Sequence, residues 1–568
     1  MLKPIGSIAS LLAAAGLAGC SLAPHYVRPE LPVPPSWPIG DAYLRQSEAA
    51  LPSVAWADVF RDPRLQTIIG QALTNNRDLR IAVANIAAAR AQYRIQRADR
   101  LPQVDAGARY GFSGGGSRTG GINTIGGTGS GGTTTDGTGT GGTNTGTGGT
   151  GSGNGTGNTT GGAGTTTGGT GSAGGFTTGS SGGGNSSFSL NVGATAFEID
   201  LFGRVRSLTT AAQDRYFGQE AAARATRLAL VGDIATAWLN YAADATLLRV
   251  AQQTAEVARS SVRLTNARLQ GGISPRTDLS QAQTVLAAAQ SDLAAQRTAV
   301  AQDANALQLL VGAPVDPGLL STDIEQAANT VAALPAGLDS AILLRRPDVV
   351  QAEYELRAAN AEIGAARAEL FPRLSLTGLV GFASNALTSL FSGGAFNYSV
   401  SPSLSYPIFR AGAGRAGVAY SQAQRDAALA NYERAIQTAF RETADALARE
   451  GTLAEQLRAN RAGIAAANTT LNLTNARYRG GIDTFLSSLD AQRSLYAAQQ
   501  SLVQTFLVGA ANRATLYRVL GGDATLDATA RGPAPVTPTG APRAEQPLPP
   551  ANPGAASPPA GAIRSLGR

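Results

Sequence analysis

This chain of 568 residues holds one cysteine (Cys20), one histidine (His25) and one methionine, at position 1. A single cysteine excludes a disulfide framework and any multi-cysteine zinc site. A single histidine excludes a His-cluster metal centre and leaves one imidazole for acid–base chemistry. No apolar run of about 20 residues follows the N-terminal region, so no transmembrane helix is expected. Lysine occurs only at Lys3, and the formal charge of +7 comes from arginines spread along the chain. That distribution gives little support to nucleic-acid binding. His25 stands in a Pro-rich stretch with no nucleophile motif beside it. The glycines lack the strand-before, helix-after setting of a phosphate loop. Neither an enzyme nor a metal or other cofactor is expected.

Met1 to Gly19 carries Lys3 and then an apolar stretch from Ile8 to Leu17, the layout of a secretory signal peptide. It ends Leu17-Ala18-Gly19-Cys20, which resembles the lipobox of bacterial lipoproteins, where the Cys thiol is acylated and becomes the new N-terminus. Ser21 follows, and the resemblance implies sorting to the outer membrane. Acyl chains add about 0.8 kcal/mol per buried methylene, and two or more anchor stably.

What the chain has in excess is glycine in one place. Of 69 glycines, 33 lie between Ser113 and Ser187, among Thr, Ser and Asn, with only Arg118 and Asp136 charged. Such a tract cannot bury apolar surface and is expected to be disordered. Outside it the chain repeats itself. Leu264-Thr265-Asn266-Ala267-Arg268 recurs as Leu473-Thr474-Asn475-Ala476-Arg477, and Gly271-Gly272-Ile273 as Gly480-Gly481-Ile482, both at an offset of 209. Arg97-Ala98 and Pro102 recur as Arg367-Ala368 and Pro372 at an offset of 270; most of the difference is the Gly-rich insertion. The expected organisation is a signal peptide (1–19), a lipid-anchored Pro-rich lead (20–59) and a first repeat (60–312) containing the insertion (113–187). A linker (313–339), a second repeat (340–521) and an unstructured Pro/Ala-rich tail (522–568) complete it.

Each repeat reads helix, strand, loop, strand, long helix, turn, helix. Val231, Ile234, Trp238, Tyr241, Ala245 and Leu248 are spaced 3-4-3-4-3, a coiled-coil seam inside a proline-free stretch from 204 to 270. Leu279, Leu286, Leu293, Val300 and Leu307 recur every seven residues. At about 1.5 Å per residue the long stretch spans roughly 100 Å. Segments 65–100 and 276–311 are each about half as long and are expected to stack end to end along it. A globular core does not need such lengths; a tube wall does.

Val104, Ala106, Ala108, Tyr110 and Phe112 alternate with Gln103, Asp105, Gly107, Arg109 and Gly111. Phe188 to Ala196, Leu374 to Phe382 and Tyr398 to Ile408 alternate in the same way, with Pro402 an irregularity in the apolar set. One apolar and one small polar face over about ten residues is the pattern of transmembrane barrel strands. Four strands cannot close a barrel, and open edges in lipid cost several kcal/mol per unsatisfied backbone group. Two copies would give eight strands with an interior filled by side chains, whereas three give twelve and a pore. The expected fold is mainly α with a membrane β-barrel: a homotrimeric 12-stranded barrel, four strands per chain, on a long α-helical coiled-coil periplasmic tunnel built from an internal duplication.

Several stretches resemble the TolC-like outer-membrane efflux proteins, in the lipoprotein (NodT-type) branch serving resistance–nodulation–division pumps. They are Trp56 through Arg80, Phe197 through Arg204, Arg345-Arg346-Pro347-Asp348-Val349, Ala476 through Gly481 and Leu489-Asp490-Ala491-Gln492. The resemblance implies a trimeric duct in the outer-membrane lipids, with a periplasmic adaptor and a proton-driven inner-membrane resistance–nodulation–division pump as partners. It implies opening by untwisting at periplasmic tips, here Gly271, Gly272, Ile273, Ser274 and Gly480, Gly481, Ile482, Asp483, which would meet the adaptor. Family carboxylates beyond the second turn line the closed aperture. Asp490 matches one such position, the other falls on Ser487, and Asp278 holds the equivalent place in the first repeat. Arg268 and Arg479 are expected to pair with carboxylates near the tips, and the Gly-rich insertion to face outside the cell.

The function these readings favour is the outer-membrane channel of a tripartite efflux pump. One alternative is a duct for type I protein secretion; another is a lipid-anchored structural or adhesive coiled-coil protein. The paired amphipathic strands favour a duct over a rod. The lipobox and Arg345-Arg346-Pro347-Asp348 favour efflux over secretion by resemblance alone.

Overall fold

The fold is that of a computed structural model, which describes residues 22–38, 40, 43, 55–113, 185–334 and 340–536. The signal peptide, Cys20 and nearly all of the Gly-rich insertion lie outside the described residues. Seven helices carry the architecture: α1 (Pro63–Asn75), α2 (Arg77–Ala98), α3 (Arg204–Gln270), α4 (Arg276–Val311), α5 (Pro347–Ala368), α6 (Ala413–Arg479) and α7 (Phe485–Val519). With β1 (Val104–Ser113), β2 (Asn185–Ile199), β3 (Arg373–Ser384) and β4 (Phe396–Ser405) they form the two repeats. Helices α2 and α5 are both 22 residues long and α3 and α6 both 67, so the duplication is kept without a gap. No helix among the described residues is long and apolar enough to cross a membrane.

The continuous helix expected over 65–100 is broken at Asn76, whose backbone is extended. Its Oδ1 accepts from Leu79 N and so caps α2, while Nδ2 donates to Leu310 O at 2.7 Å. A side chain that satisfies two helix ends at once is worth a break in one helix. The end of α4 and the start of α2 therefore meet at Asn76, which is the expected end-to-end stacking. The second repeat solves the same problem with another residue. Arg346, 270 positions after Asn76, precedes α5 and donates Nη1 to Val519 O at 3.1 Å, and Val519 is 209 positions after Leu310.

Among the described residues, the helices and their loops belong to one compact unit, drawn from 22–103, 194–377 and 401–536. In it α2 packs on α3, α3 on α5 and α5 on α6; towards the hairpin turns α4 packs on α3, α3 on α7 and α7 on α6. Because α3 is covered on more than one side, its buried surface is wider than the expected seam. Val231, Ile234 and Trp238 are fully buried, but so are Ala235, Leu239 and Ala242, whereas Tyr241, Ala245 and Leu248 are half-buried. On α4 the burial is complete at Leu307 and nearly so at Leu293, Ala282 and Ala289. Ala251, Ala255 and Ala258 face Ala289 and Leu293, small side chains that let the two helices approach closely. The main core gathers Phe60, Leu65, Ile68, Trp238, Leu307 and Tyr517, and Trp238 Nε1 donates to Leu319 O at 3.0 Å.

Residues 22–38 of the Pro-rich lead form a strap antiparallel to α5. Arg367 donates to Leu22 O, Asn360 to Pro24 O, and Ser340 N to Pro35 O, while Trp37 stacks on Phe440 at 4.9 Å. Gly364 admits it, since a Cβ there would lie 2.7 Å from Ala23. The tail expected to be unstructured from 522 begins instead with a hairpin, β5 (Leu526–Thr529) against β6 (Gly532–Pro535). Leu526 buries fully beside Phe217 and Tyr354, and the Tyr354 hydroxyl donates to Thr529 O and accepts from Thr529 N. That apolar anchor outweighs the local Pro and Gly content. Residues 537–568 lie outside the described residues.

The four long strands pair in the order β1-β2-β3-β4. Parts of them, within residues 104–193 and 378–400, form the second unit, where Tyr110 lies over Phe188 at 4.8 Å and Phe382 meets Phe396 at 5.8 Å. Their apolar faces are uncovered: Val104, Phe112, Tyr398 and Val400 are all exposed. Pro402 stands in β4, an edge strand of the single-chain sheet, where a missing N–H is tolerated.

Candidate functional site at the hairpin tips

Both long helices end in the same turn. After α3, Gly271 closes the helix and Gly272 takes φ +71; Gly272 N bonds Leu269 O and Ile273 N bonds Arg268 O. After α6, Gly481 takes φ +73, Gly481 N bonds Tyr478 O and Ile482 N bonds Arg477 O. This is a Schellman motif used twice, and its left-handed residue favours glycine. It leaves Ile273 and Ile482 about 70% exposed (71% and 68%), one apolar knob on each tip.

The charges around the two turns differ although the positions correspond. Arg477 grips Asp483 through Nε at 2.6 Å and Nη2 at 3.0 Å, which holds the Asp483 carboxyl below its ordinary range. In the first repeat the equivalent of Asp483 is Ser274, whose hydroxyl donates to Asp278 Oδ2 at 2.6 Å. Arg268, the equivalent of Arg477, is left without that carboxylate. Its guanidinium lies over the Tyr478 ring at 4.7 Å, with Nη1 3.5 Å from Tyr478 O. Tyr478 is buried with Ala282, Phe485 and Leu489, so the two tips of one chain touch through this cluster.

Of the gate candidates, Asp490 is exposed and 3.8 Å from Arg493, one turn along α7. Ser487 exchanges a hydrogen bond with Thr484 at 3.1 Å, and Asp278 is tied to Ser274. The three are not brought into contact with one another within the chain. Two expected arginine pairs are corrected: Arg268 meets an aromatic ring rather than a carboxylate, and Arg477, not Arg479, holds the tip aspartate. Arg479 pairs with no carboxylate among the described residues. Tyr478, Phe485 and Arg477 are the tip residues missed in sequence. The signal was the repeat alignment itself, which sets Asp483 against Ser274 and so leaves one of two equivalent arginines uncompensated.

A second electrostatic feature lies in the α3–α4 pair, where Asp244 and Asp303 face each other. Burial raises both carboxyls above the ordinary 3.8, and the neighbouring Asp244 charge helps push Asp303 to about 6. A carboxyl whose folded pKa is raised contributes stability that is complete below the ordinary value and lost as pH rises through about 6. Asp303→Asn keeps the hydrogen bond without the second charge. The variant is expected to be more stable than the parent at pH 7.5, by about 1 kcal/mol after solvent screening. The gap should close towards pH 4.5, and melting temperatures at the two pH values measure it. An unchanged gap would mean that the Asp244 charge does not act on Asp303.

A chain that alternates amphipathic strand pairs with 67-residue helices, twice over, and turns each long helix back through a Schellman motif has the architecture of TolC-type outer-membrane channels. The outer membrane efflux protein family matches residues 68–313 and 338–522, and the chain belongs to that family. It is 39% identical over 511 residues to the probable efflux pump outer membrane protein TtgC of Pseudomonas putida KT2440, covering 89% of this chain and 93% of that protein. It is 35% identical over 522 residues to the outer membrane protein OprJ of Pseudomonas aeruginosa, covering 92% and 97%. Among solved structures, the open state of the Neisseria gonorrhoeae MtrE outer membrane channel superposes with a TM-score of 0.70 at 30% identity, over 90% of this chain and all (100%) of that one. The protein is a non-enzymatic transport component of the cell outer membrane.

Proposed function

We propose that the chain is the outer-membrane duct of a tripartite efflux pump. Three copies close a 12-stranded barrel and a periplasmic helical tunnel. Substrates delivered by an inner-membrane resistance–nodulation–division pump and a periplasmic adaptor pass through it passively. The observation that carries this reading is that the sheet and the helical layer each have open edges. The sheet ends on β1 and β4. In the helical layer α2 has no buried residue and α6 has none before Tyr432. An open sheet with apolar faces is costly in lipid, and closure with further copies removes the edges. Relatives named for toluene, solvent and antibiotic efflux support small organic toxicants as cargo.

In this reading the tip turns meet the adaptor through Ile273 and Ile482, and Asp278, Ser487 and Asp490 line the aperture. Cys20 carries the lipid anchor. Hydrogen bonding of Leu22 to Arg367 supports it, because it fastens the strap to α5 two residues after Cys20 in the sequence.

The test is expression with a matched pump and adaptor in a host lacking its own outer-membrane channel. Restored extrusion of a hydrophobic dye is expected, with labelled palmitate incorporated by the parent but not by Cys20→Ser. The solubilised protein should have the mass of about three chains after correction for detergent. A stable monomer with no dye extrusion would return the anchored-rod alternative.

A further inference from the structure

We propose that Arg94, Arg97, Arg100 and Arg206 hold the phosphate of an anionic phospholipid, in the leaflet that receives the acyl chains of Cys20. The inference rests on the outer-membrane duct and lipid anchor proposed above, and adds to them a surface that selects a headgroup.

The four arginines share one corner of the helical unit, where α2 ends and α3 begins. Thr209 Oγ1 donates to Gln96 O at 3.3 Å and Arg100 Nη2 to Arg206 O at 3.4 Å, so the two helix ends lie side by side. All four residues are exposed, and none has an ion-pair partner among the described residues. The neighbouring carboxylates are already engaged. Asp99 accepts from Gln96 Nε2 at 2.8 Å, Asp200 accepts from the Arg206 backbone N–H at 2.7 Å, and Glu198 is held by Arg204 at 2.6 Å. The helix dipole accounts for cations at the end of α2, but it disfavours Arg206 in the first turn of α3. Like charges gathered without a counter-ion repel, and a phosphate that bridges two guanidinium forks removes that cost.

The duplication says why the phosphate belongs to a lipid. Subtracting 270 from a residue of α5 gives its counterpart on α2. On α5, Asn360, Gly364 and Arg367 form the face on which the strap lies: Asn360 donates to Pro24 O, a Cβ at Gly364 would meet Ala23, and Arg367 donates to Leu22 O at 3.2 Å. The counterparts on α2 are Arg90, Arg94 and Arg97, and all three are exposed. Arg97 is therefore the mate of the arginine that fastens Leu22, and Leu22 stands two residues after Cys20. Two residues of extended chain reach about 7 Å. In the duct reading this puts the arginine row at the depth of the acyl anchor, on the face equivalent to the one the anchored strap covers. Aliphatic side chains accompany the row, with Ile95, Leu101 and Leu201 all exposed. Guanidinium forks beside bare aliphatic surface match a headgroup above its acyl chains, whereas a free phosphate ion has no use for that surface.

The test uses the full-length, lipid-processed protein in mild detergent, incubated with equal amounts of phosphatidylglycerol and phosphatidylcholine and weighed by native mass spectrometry. The parent is expected to retain phosphatidylglycerol over phosphatidylcholine by about fivefold or more, the gain from one arginine at an anionic surface. Replacing the four together (Arg94→Gln, Arg97→Gln, Arg100→Gln, Arg206→Gln) should bring the preference to about one. Arg259→Gln with Arg263→Gln, exposed elsewhere on α3, should keep it. Excess inorganic phosphate should not displace the lipid. The same spectra report how many chains assemble. A three-chain mass with equal retention of the two lipids, with an unchanged preference in the fourfold variant, or with displacement by inorganic phosphate overturns the lipid site and leaves the duct reading standing. An unchanged preference would assign these arginines to an acidic protein segment instead. A one-chain mass overturns the duct reading and the lipid site with it.

Discussion

Glu353→Ala is expected to cost about 3–5 kcal/mol and to release the N-terminal strap. The side chain is 0% exposed on α5 and takes two arginines. Arg357 Nη2 donates to Oε1 at 2.6 Å. Arg28, from the strap, reaches Oε2 at 2.9 Å as an ion pair and donates Nε to Oε1 at 3.2 Å, while the Tyr26 hydroxyl stands 3.3 Å from Oε1. Removing the carboxylate strands the largely buried Arg357 guanidinium without its counter-charge, and loses the one ionic tie between strap and helix seen among the described residues. Burial and the Glu353 charge together push the Tyr26 hydroxyl up to about 12, so the variant should bring that titration down. A lower melting temperature and faster chymotrypsin cleavage after Tyr26 are the readouts. Glu353→Gln, which keeps shape and one acceptor, should fall between parent and alanine. Cleavage at the parental rate in both variants would mean that Trp37 and the proline-lined contacts hold the strap alone.

That prediction was invisible in the sequence, and the reason is physical. Repeats, heptads and alternation are local patterns, so the 67-residue helices, the four strands and the Gly-Gly turns could be read directly. Glu353 and Arg28 are 325 residues apart, and only the fold brings them into contact. The break at Asn76 was missed because the pattern on either side of it is equally helical; what decides it is the carbonyl of Leu310, far away in sequence. The hairpin at 526–535 was missed for the converse reason, since its local composition is turn-rich and its order comes from burying Leu526 against Phe217 and Tyr354. At the tips, the glycines announced the turn. The pairing of Arg268 with Tyr478 needed the three-dimensional neighbour, although the missing partner at Ser274 was already legible in the alignment of the two repeats.

Tyr478→Ala is expected to loosen the contact between the two tips of one chain more than any change to the exposed tip charges. Tyr478 is 7% exposed, packs on Phe485 at 5.3 Å, and carries Arg268 on its ring. Truncating a buried aromatic costs about 3–5 kcal/mol, and a cation–π contact adds about 0.5–2 kcal/mol. Arg268→Ala alone removes the smaller contribution, a shift of roughly two- to thirtyfold in the balance between tips held together and tips apart. Tyr478→Ala removes both, because the cation loses its ring and the cluster with Ala282 and Leu489 loses its centre. Arg477→Ala serves as the control: its partner Asp483 belongs to the same turn, so losing that pair leaves the two hairpins joined. In the proposed duct the consequence is a leak. Conductance of the purified protein in planar bilayers should rise slightly for Arg268→Ala, strongly for Tyr478→Ala and hardly at all for Arg477→Ala. If Arg477→Ala leaked as much as Tyr478→Ala, the turns themselves would be the closure, and the contact between the hairpins would serve only to hold the fold.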